Sequence, residues 1–176
     1  MENKNYFTAD EYLSQLKLMY KSYFDLEENK EIADKKFDLY AFSHVQNEKY
    51  FASKKLKIWE YTKYDHCLID INNKNNLIPD EDFLKNTIDE IIDPHRNHKQ
   101  SYITIVNIRE NSFTEKEIDK IKNFSYSKSF LLGFKGWCDV RLIAVDLSNN
   151  KVYTNQEGEK VADNYQPERF KKAKSS

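Results

Sequence analysis

The sequence predicts one α+β domain, in which a largely antiparallel mixed sheet of about six to eight strands carries roughly three or four helices, packed mainly on one sheet face. The predicted order is helix, four strands, helix, strand, helix and then two or three strands. At 176 residues and 21.1 kDa, the chain can bury a core without disulfides or a metal. No internal repeat or linker divides it. We expect the domain to span residues 1–170 and residues 171–176 to form a frayed basic tail.

The N-terminal part of the chain changes from helical to strand periodicity. A capping box from Thr8 to Glu11 starts a helix that carries apolar residues at helical spacing to about Phe24. Residues 26–35 are charged and are interpreted as a connection. The period then changes to two, which predicts a meander of short strands. These strands are expected at residues 36–45, 48–53, 56–61 and 65–71, with turns near 46–47, 54–55 and 62–64.

The C-terminal part combines two helices with further strands. Pro79 and the acidic residues 80–82 open the second helix, because carboxylates suit the positive end of the helix dipole. Residues 102–109 are apolar on both faces, which predicts a central strand. The third helix begins at a second capping box, from Thr114 to Glu117. The remaining expected elements are an antiparallel set of strands over residues 126–155, in which Gly136 supplies a turn or bulge with positive φ, and a short helix over 157–165.

Composition narrows the classes of function. The formal net charge is -1 and the pI is about 6.4, so no global field attracts nucleic acid or an anionic membrane. Aromatic residues make up 14% of the chain, which predicts a folded core. Cys67 and Cys138 lie far apart, and the chain shows neither a signal segment nor an apolar run long enough to span a membrane. We therefore expect a cytoplasmic protein with two free thiols.

Strand alternation predicts a mixed polar and aromatic sheet face. If the polar positions of several strands share one side, they form a ligand groove in which arginines hold an anionic group by forked hydrogen bonds. The alternative is a solvated face with cross-strand ion pairs, for example between Asp139 and Arg109. The candidate residues of this face are Tyr40, Phe42, His44, His66, Arg109, Trp137, Asp139 and Arg141.

A metal site is the second candidate. His95 and His98 would project from one face of a helical turn, and His66, Cys67 or Cys138 would have to supply further ligands. No CxxC or HExxH motif supports this site. The alternative is a surface turn whose imidazoles cap backbone groups.

Other catalytic patterns are incomplete. A nuclease pattern would use Asp38 and Glu48, but Tyr50 stands where a lysine is needed. Ser101 and two serines at positions 127 and 129 lie near strands without a nucleophile elbow. The glycines form no phosphate loop, and we expect no cofactor.

Several blocks of the sequence together resemble a family of small uncharacterised prokaryotic proteins, a domain of unknown function. The similarity covers about Tyr23 to Tyr165, and its most specific element is GFKGWCDVRLIAVDL. The resemblance implies a single domain and no particular activity. The other blocks are KFDLYAFSHV, NEKYFASKKLKIW, YDHCLIDI and KVYTNQEGEK.

Three classes of function remain, and the first is favoured. It is a non-catalytic domain that binds a small anionic ligand or a protein partner, as a monomer or homodimer and without a membrane. The second is a metal-dependent or hydrolytic enzyme that uses His95, His98 or His66. The third is a single-stranded nucleic-acid binder with aromatic stacking beside lysines 54, 55 and 57, which the near-neutral charge disfavours.

Overall fold

A computed structural model describes residues 7–50, 57–71 and 77–170, with side chains for 7–46, 62–71 and 77–170. The helices are α1 (Ala9–Tyr20), α2 (Glu81–Ile91), α3 (Glu115–Asn123) and α4 (Gln156–Glu159). The strands are β1 (Asp25–Ile32), β2 (Lys35–Tyr50), β3 (Lys57–Ile71), β4 (His98–Arg109), β5 (Ser127–Ser129), β6 (Trp137–Asp146) and β7 (Lys151–Thr154). Short 3₁₀ segments cover Leu131–Gly133, Ala162–Tyr165 and Pro167–Arg169.

The strands form one open mixed sheet in the order β1-β2-β3-β4-β6-β5. β3 and β4 are parallel, as are β4 and β6, whereas the other pairs are antiparallel. β5 pairs with the first residues of β6 and β7 with its last residues, so both short strands lie on the same side of β6. The predicted α+β fold with a mixed sheet is confirmed.

The helices lie on both faces of the sheet, not mainly on one. α1 packs against Leu39, Ile69 and Val106, and the C-terminal residues Tyr165 and Phe170 extend the same core. On the opposite face, α2 and α3 pack against a second core. Successive crossovers of one hand, from β3 to β4 and from β4 to β6, place both connecting helices on one side. The sheet is therefore covered on both faces. The second core includes Leu68, Leu84, Ile88, Ile103, Ile121 and Val140.

The N-terminal strands differ from the predicted meander. The connection expected at residues 26–35 is mainly β1, an edge strand in which only Ile32 is buried, so its charged side chains face water and show no apolar alternation. The four strands expected next are two long ones, β2 and β3, and no turn interrupts them near 46–47 or 62–64. The turn expected near 54–55 lies outside the described residues. The polar residues at 46–47 and 62–64 are paired with each other's strands in the β2-β3 hairpin, so they do not end those strands.

The predicted helix starts and the C-terminal strands are confirmed. Both capping boxes are present, at Thr8 and at Thr114, and the Asp80 side chain caps α2. The strand, turn, strand, turn, strand order of the C-terminal part is also present, and Gly136 has a φ of +74°. The helix expected over 157–165 is divided between α4 and a 3₁₀ segment. The tail at 171–176 lies outside the described residues.

Candidate functional site

The register of the sheet divides the predicted polar face between its two sides. Phe42, His66 and Ile103 are neighbours across three strands and face α2. Arg141 is the neighbour of Thr104, one position away from Ile103, and therefore faces α1. The set expected on one face is thus separated, and its role in ligand binding stays a prediction. Tyr40, Phe42, His44, His66 and Arg109 lie on the α2 side, whereas Trp137, Asp139 and Arg141 lie on the α1 side.

A cavity of about 220 Å³, the histidine groove, lies on the α2 side. It is bounded by the end of α2, the start of β4 and the aromatic side chains of β2 and β3. The fourth histidine of the chain, His44, stacks on Phe42 beside it, at 6.1 Å between ring centroids. The structure therefore gathers all the histidines in one region. The residues that line the groove are Phe42, Tyr64, His66, Ile91, Ile92, Asp93, His95, His98 and Ser101.

His98 forms hydrogen bonds both to the turn that precedes β6 and to Ser101 of β4. Its Nδ1 lies 2.6 Å from the carbonyl oxygen of Lys135, and its Nε2 lies 2.8 Å from Oγ of Ser101. A carbonyl oxygen only accepts, so Nδ1 carries the hydrogen and the neutral ring accepts from Ser101 through Nε2. Burial lowers the pKa of His98, against the opposing effect of the hydrogen bond to Lys135. The neutral ring is therefore the form present at pH 7.

His95 does not form the helical pair with His98 that the sequence predicts. The two residues lie at the ends of a tight turn, in which the His98 amide donates to the His95 carbonyl at 3.1 Å. Nδ1 of His95 accepts from the amide of Asn97 at 3.2 Å, and Nε2 lies 2.7 Å from Oη of Tyr64. Both imidazoles thus bond to backbone groups, as the alternative interpretation expects. Within the described residues, no group of three or more His, Cys, Asp or Glu is placed to hold a metal ion.

His66 is buried between β2 and β4. It is only 3% exposed, and its Nδ1 lies 2.9 Å from Oη of Tyr40. Burial, and then the neighbouring His98, lower the pKa of His66 to about 4. Burial also raises the pKa of Tyr40 to about 12, so the hydroxyl keeps its proton at pH 7.

The buried His66 predicts a loss of stability in mild acid. The unfolded chain takes up a proton below its pKa of 6.5, whereas folded His66 resists protonation until about pH 4. The contribution of His66 to the stability of the fold is therefore fully present above pH 6.5 and is lost as the pH falls from 6.5 towards 4. Between about pH 7 and about pH 5, we expect His66 to account for a loss of about 2 kcal/mol in the free energy of unfolding.

Urea titrations of the wild type and His66→Gln at both pH values measure this loss. The glutamine does not titrate, so its free energy of unfolding should fall by about 2 kcal/mol less than that of the wild type over this interval. Equal losses in the two proteins would contradict the assignment.

A second cavity, of about 410 Å³, lies on the α1 side and is called the Arg141 cavity. The sheet forms its floor, and the end of α1 and the 3₁₀ segment near Tyr165 form its walls. The residues that line it are Met19, Tyr20, Tyr23, Phe24, Asp65, Cys67, Thr104, Arg141, Val161, Asn164 and Tyr165.

Arg141 is a charged side chain that is only 8% exposed. Its Nη1 donates to Oδ1 of Asp65 at 3.0 Å, and its guanidinium lies over the ring of Tyr102 at 3.5 Å. Its Nε is buried and has no hydrogen-bond partner among the described residues. Burial raises the pKa of Asp65, although the charge of Arg141 opposes that shift.

A buried pair of hydroxyl groups also lines the Arg141 cavity. Oη of Tyr20 and Oη of Tyr165 are 2.5 Å apart, and burial raises the pKa of both hydroxyls. Burial likewise raises the pKa of Cys67 to about 11, so its thiol stays protonated at pH 7. The cavity therefore offers hydroxyl donors and one buried cation, but no activated nucleophile.

The remaining predicted site residues serve other contacts. Arg109 lies at the far end of β4, where Nη1 contacts Oε1 of Glu117 at 2.7 Å. Asp139 lies on the opposite face of the sheet from Arg109 and accepts from Nε2 of Gln100. The ion pair expected between Asp139 and Arg109 is therefore wrong. Trp137 is partly exposed.

Of the two residues of the nuclease pattern, only Asp38 has a described side chain. Asp38 accepts from the backbone amide of Ile71, and burial raises its pKa. The side chain of Glu48 lies outside the described part of the chain.

Sequence reasoning missed several residues of both cavities. Tyr64 and Asp65 lie in a stretch interpreted as a turn and the start of a strand, so their faces were not assigned. Alternation through the longer strand β3 would have placed Asp65 opposite His66. Asn164 and Tyr165 carry no motif, and only the return of the chain across α1 brings them to the cavity.

The fold and its cavities define a single α+β domain built on an open mixed sheet, with one of the two cavities on each side. The chain belongs to the family described as Domain of unknown function (DUF8052), whose model matches residues 8–167. This confirms the resemblance to a domain of unknown function. No curated protein and no solved structure matches the chain. None of the helices in the described residues has the length and apolar character needed to cross a bilayer.

Proposed function

We propose that the protein is a ligand-binding domain that holds a small carboxylate-bearing molecule in the Arg141 cavity. The observation that carries this proposal is a buried guanidinium, that of Arg141, whose Nε has no acceptor among the described residues. A buried donor left without a partner costs about 1–3 kcal/mol. A ligand oxygen that supplies the missing acceptor recovers this energy, so the cavity favours an anion.

The geometry of the guanidinium supports a forked contact. Asp65 accepts only from Nη1 of Arg141. The other edge, formed by Nε and Nη2, makes no hydrogen bond within the described part of the chain. This edge has the spacing of a carboxylate, which accepts two parallel hydrogen bonds from it. Tyr102 stacks on the face of the guanidinium and holds its plane in one orientation.

The rest of the cavity suits a ligand that also has an apolar part. Met19, Phe24 and Val161 contribute apolar surface, whereas Thr104 and Asn164 offer hydrogen-bonding groups. Small-molecule pockets commonly span roughly 300–1,000 Å³, and the Arg141 cavity of about 410 Å³ falls at the lower end. None of the described residues that line it is an activated nucleophile, so we propose binding without chemistry in this cavity.

We further infer one domain over residues 1–170 and a cytoplasmic location. Both cysteines of the chain are buried and unpaired, and unpaired thiols are typical of a reducing compartment.

Replacing Arg141 by lysine should weaken carboxylate binding by about 100-fold, because lysine keeps the charge beside Asp65 but lacks the fork. Thermal-shift measurements with benzoate, succinate and inorganic phosphate identify the ligand class, and calorimetry then gives the affinity. A ligand at a hundredfold its dissociation constant stabilises the wild type by about 2.7 kcal/mol.

The matched control is Arg96→Lys, which makes the same change at an exposed arginine. It should bind as the wild type does. Equal affinity of Arg141→Lys and Arg96→Lys would contradict the site. If none of the three anions raises the melting temperature, the anion proposal is wrong, and a protein partner becomes the function to test.

A further inference from the structure

We propose a second, catalytic site in the histidine groove, where Ser101 is a nucleophile and His98 its general base for cleavage of a small acyl ester. This activity lies on the opposite face from the Arg141 cavity and does not depend on it. Three groups in succession carry the inference: the carbonyl oxygen of Lys135, the imidazole of His98 and the hydroxyl of Ser101.

The hydrogen bonds fix the direction in which a proton can move. The Lys135 carbonyl accepts from Nδ1 of His98 at 2.6 Å, which leaves the lone pair of Nε2 directed at Oγ of Ser101, 2.8 Å away. An acceptor that orients an imidazole, and an imidazole that accepts from a hydroxyl, are the parts of an activated nucleophile. Here the backbone carbonyl takes the orienting role that a carboxylate often fills.

The surrounding structure holds this arrangement in place. His98 is only 4% exposed, its ring stacks on Tyr64 with centroids 5.7 Å apart, and the edge of Phe130 meets it at 5.4 Å. Ser101 lies on β4, in the middle of the sheet between β3 and β6. Both groups are therefore fixed by packing before any ligand binds, as positioned catalytic groups require.

His66 supplies a hydrogen-bond donor on the same side. In the tautomer whose Nδ1 accepts from the Tyr40 hydroxyl, the ring hydrogen of His66 is on Nε2. This Nε2 has no hydrogen bond within the described residues, and His66 and Ser101 line the same groove. A neutral donor in this place suits the negative oxygen that forms when a hydroxyl attacks a carbonyl carbon.

The size of the groove limits the substrate. Its volume is about 220 Å³, and Phe42, Ile91 and Ile92 form apolar walls. Ser101 lines the groove, so a substrate held in the groove lies beside it. An acetyl or butyryl group fits this space, whereas a long acyl chain does not.

The chemical step is an ordinary acyl transfer. Oγ of Ser101 forms a bond to the carbonyl carbon of the ester, and the hydroxyl proton passes to Nε2 of His98. The bond between that carbon and the leaving oxygen then breaks, and His98 returns the proton to the leaving oxygen. Water attacks the acyl-serine in the same way, which releases the acid and restores both groups.

The test uses p-nitrophenyl acetate with the full-length protein. We expect release of p-nitrophenol above the uncatalysed rate, and peptide mapping by mass spectrometry should place one acetyl group on Ser101. Ser101→Ala should lower the rate by about 100-fold or more, to the background. Ser129, one of the two exposed serines of β5, gives the matched control, Ser129→Ala, which should react as the wild type does.

A purely structural role for the same hydrogen bonds predicts different results. In that case the acetyl group would appear on surface lysines or not at all, and Ser101→Ala would lower the melting temperature without changing the rate. Mapping of the wild type gives an answer even if Ser101→Ala does not fold. Equal rates with p-nitrophenyl acetate and p-nitrophenyl octanoate would also overturn the proposal, because the groove excludes the longer chain.

Discussion

Replacing Gly136 by alanine should lower the free energy of unfolding by about 3 kcal/mol or more. Gly136 precedes β6 with a φ of +74°, and a Cβ there would lie 2.1 Å from the carbonyl oxygen of Lys99. The obstructing atoms belong to the backbone of β4, so no side-chain rotation relieves the clash. The strands must separate at this point, which also displaces the Lys135 carbonyl that orients His98.

Gly133 provides the matched control for this substitution. It also has a positive φ, of +91°, but a Cβ there would have no neighbour within 4 Å. Gly133→Ala should therefore cost only the backbone strain, about 1–2 kcal/mol. Urea denaturation of the two variants measures the difference. Similar losses of stability in both would mean that the close approach to Lys99 does not determine the effect.

Replacing Asn155 by aspartate should destabilise the fold by about 3 kcal/mol or more. Asn155 is only 1% exposed, and its Oδ1 accepts from the amides of Leu142 and Gly158 at 2.9 and 3.0 Å. Its Nδ2 donates to the carbonyl oxygen of Val140 at 3.0 Å. Aspartate would place a negative oxygen against that carbonyl, in a site that water does not reach.

Asn123→Asp is the control for the change from amide to carboxylate. Asn123 is exposed and donates to the carbonyl oxygen of Asp119. We expect a cost below about 1 kcal/mol there, measured by the same denaturation. If Asn155→Asp costs no more than this control, the bonds of Asn155 to β6 do not hold α4 in place. The wall of the Arg141 cavity that follows α4 would then need another support.

Local chemistry determined which elements the sequence could predict. The capping boxes at Thr8 and Thr114 depend on residues three positions apart, so they are readable without tertiary structure. The central position of β4 follows from its apolar character on both faces. β1 was missed because an edge strand with exposed charges lacks the apolar alternation that predicts a strand.

The candidate site was less predictable because it depends on register between strands. Alternation within β2 correctly groups Tyr40, Phe42 and His44 on one face. It does not say whether Arg141 on β6 aligns with Thr104 or with its neighbour on β4, since a helical crossover separates these strands in the chain. A shift of β6 by one residue relative to β4 would therefore move Arg141 from one cavity to the other.

The alternation of β3 has a consequence for the evolution of the family. Asp65 and Cys67 line one cavity, whereas His66, which lies between them, lines the other. A codon deleted or inserted within β3 would shift the residues beyond it by one position and so exchange their places between the two cavities. Such a length change is far more damaging than a substitution, which alters one cavity and leaves the other intact. We expect gaps among related genes to fall in the connections and not in this strand.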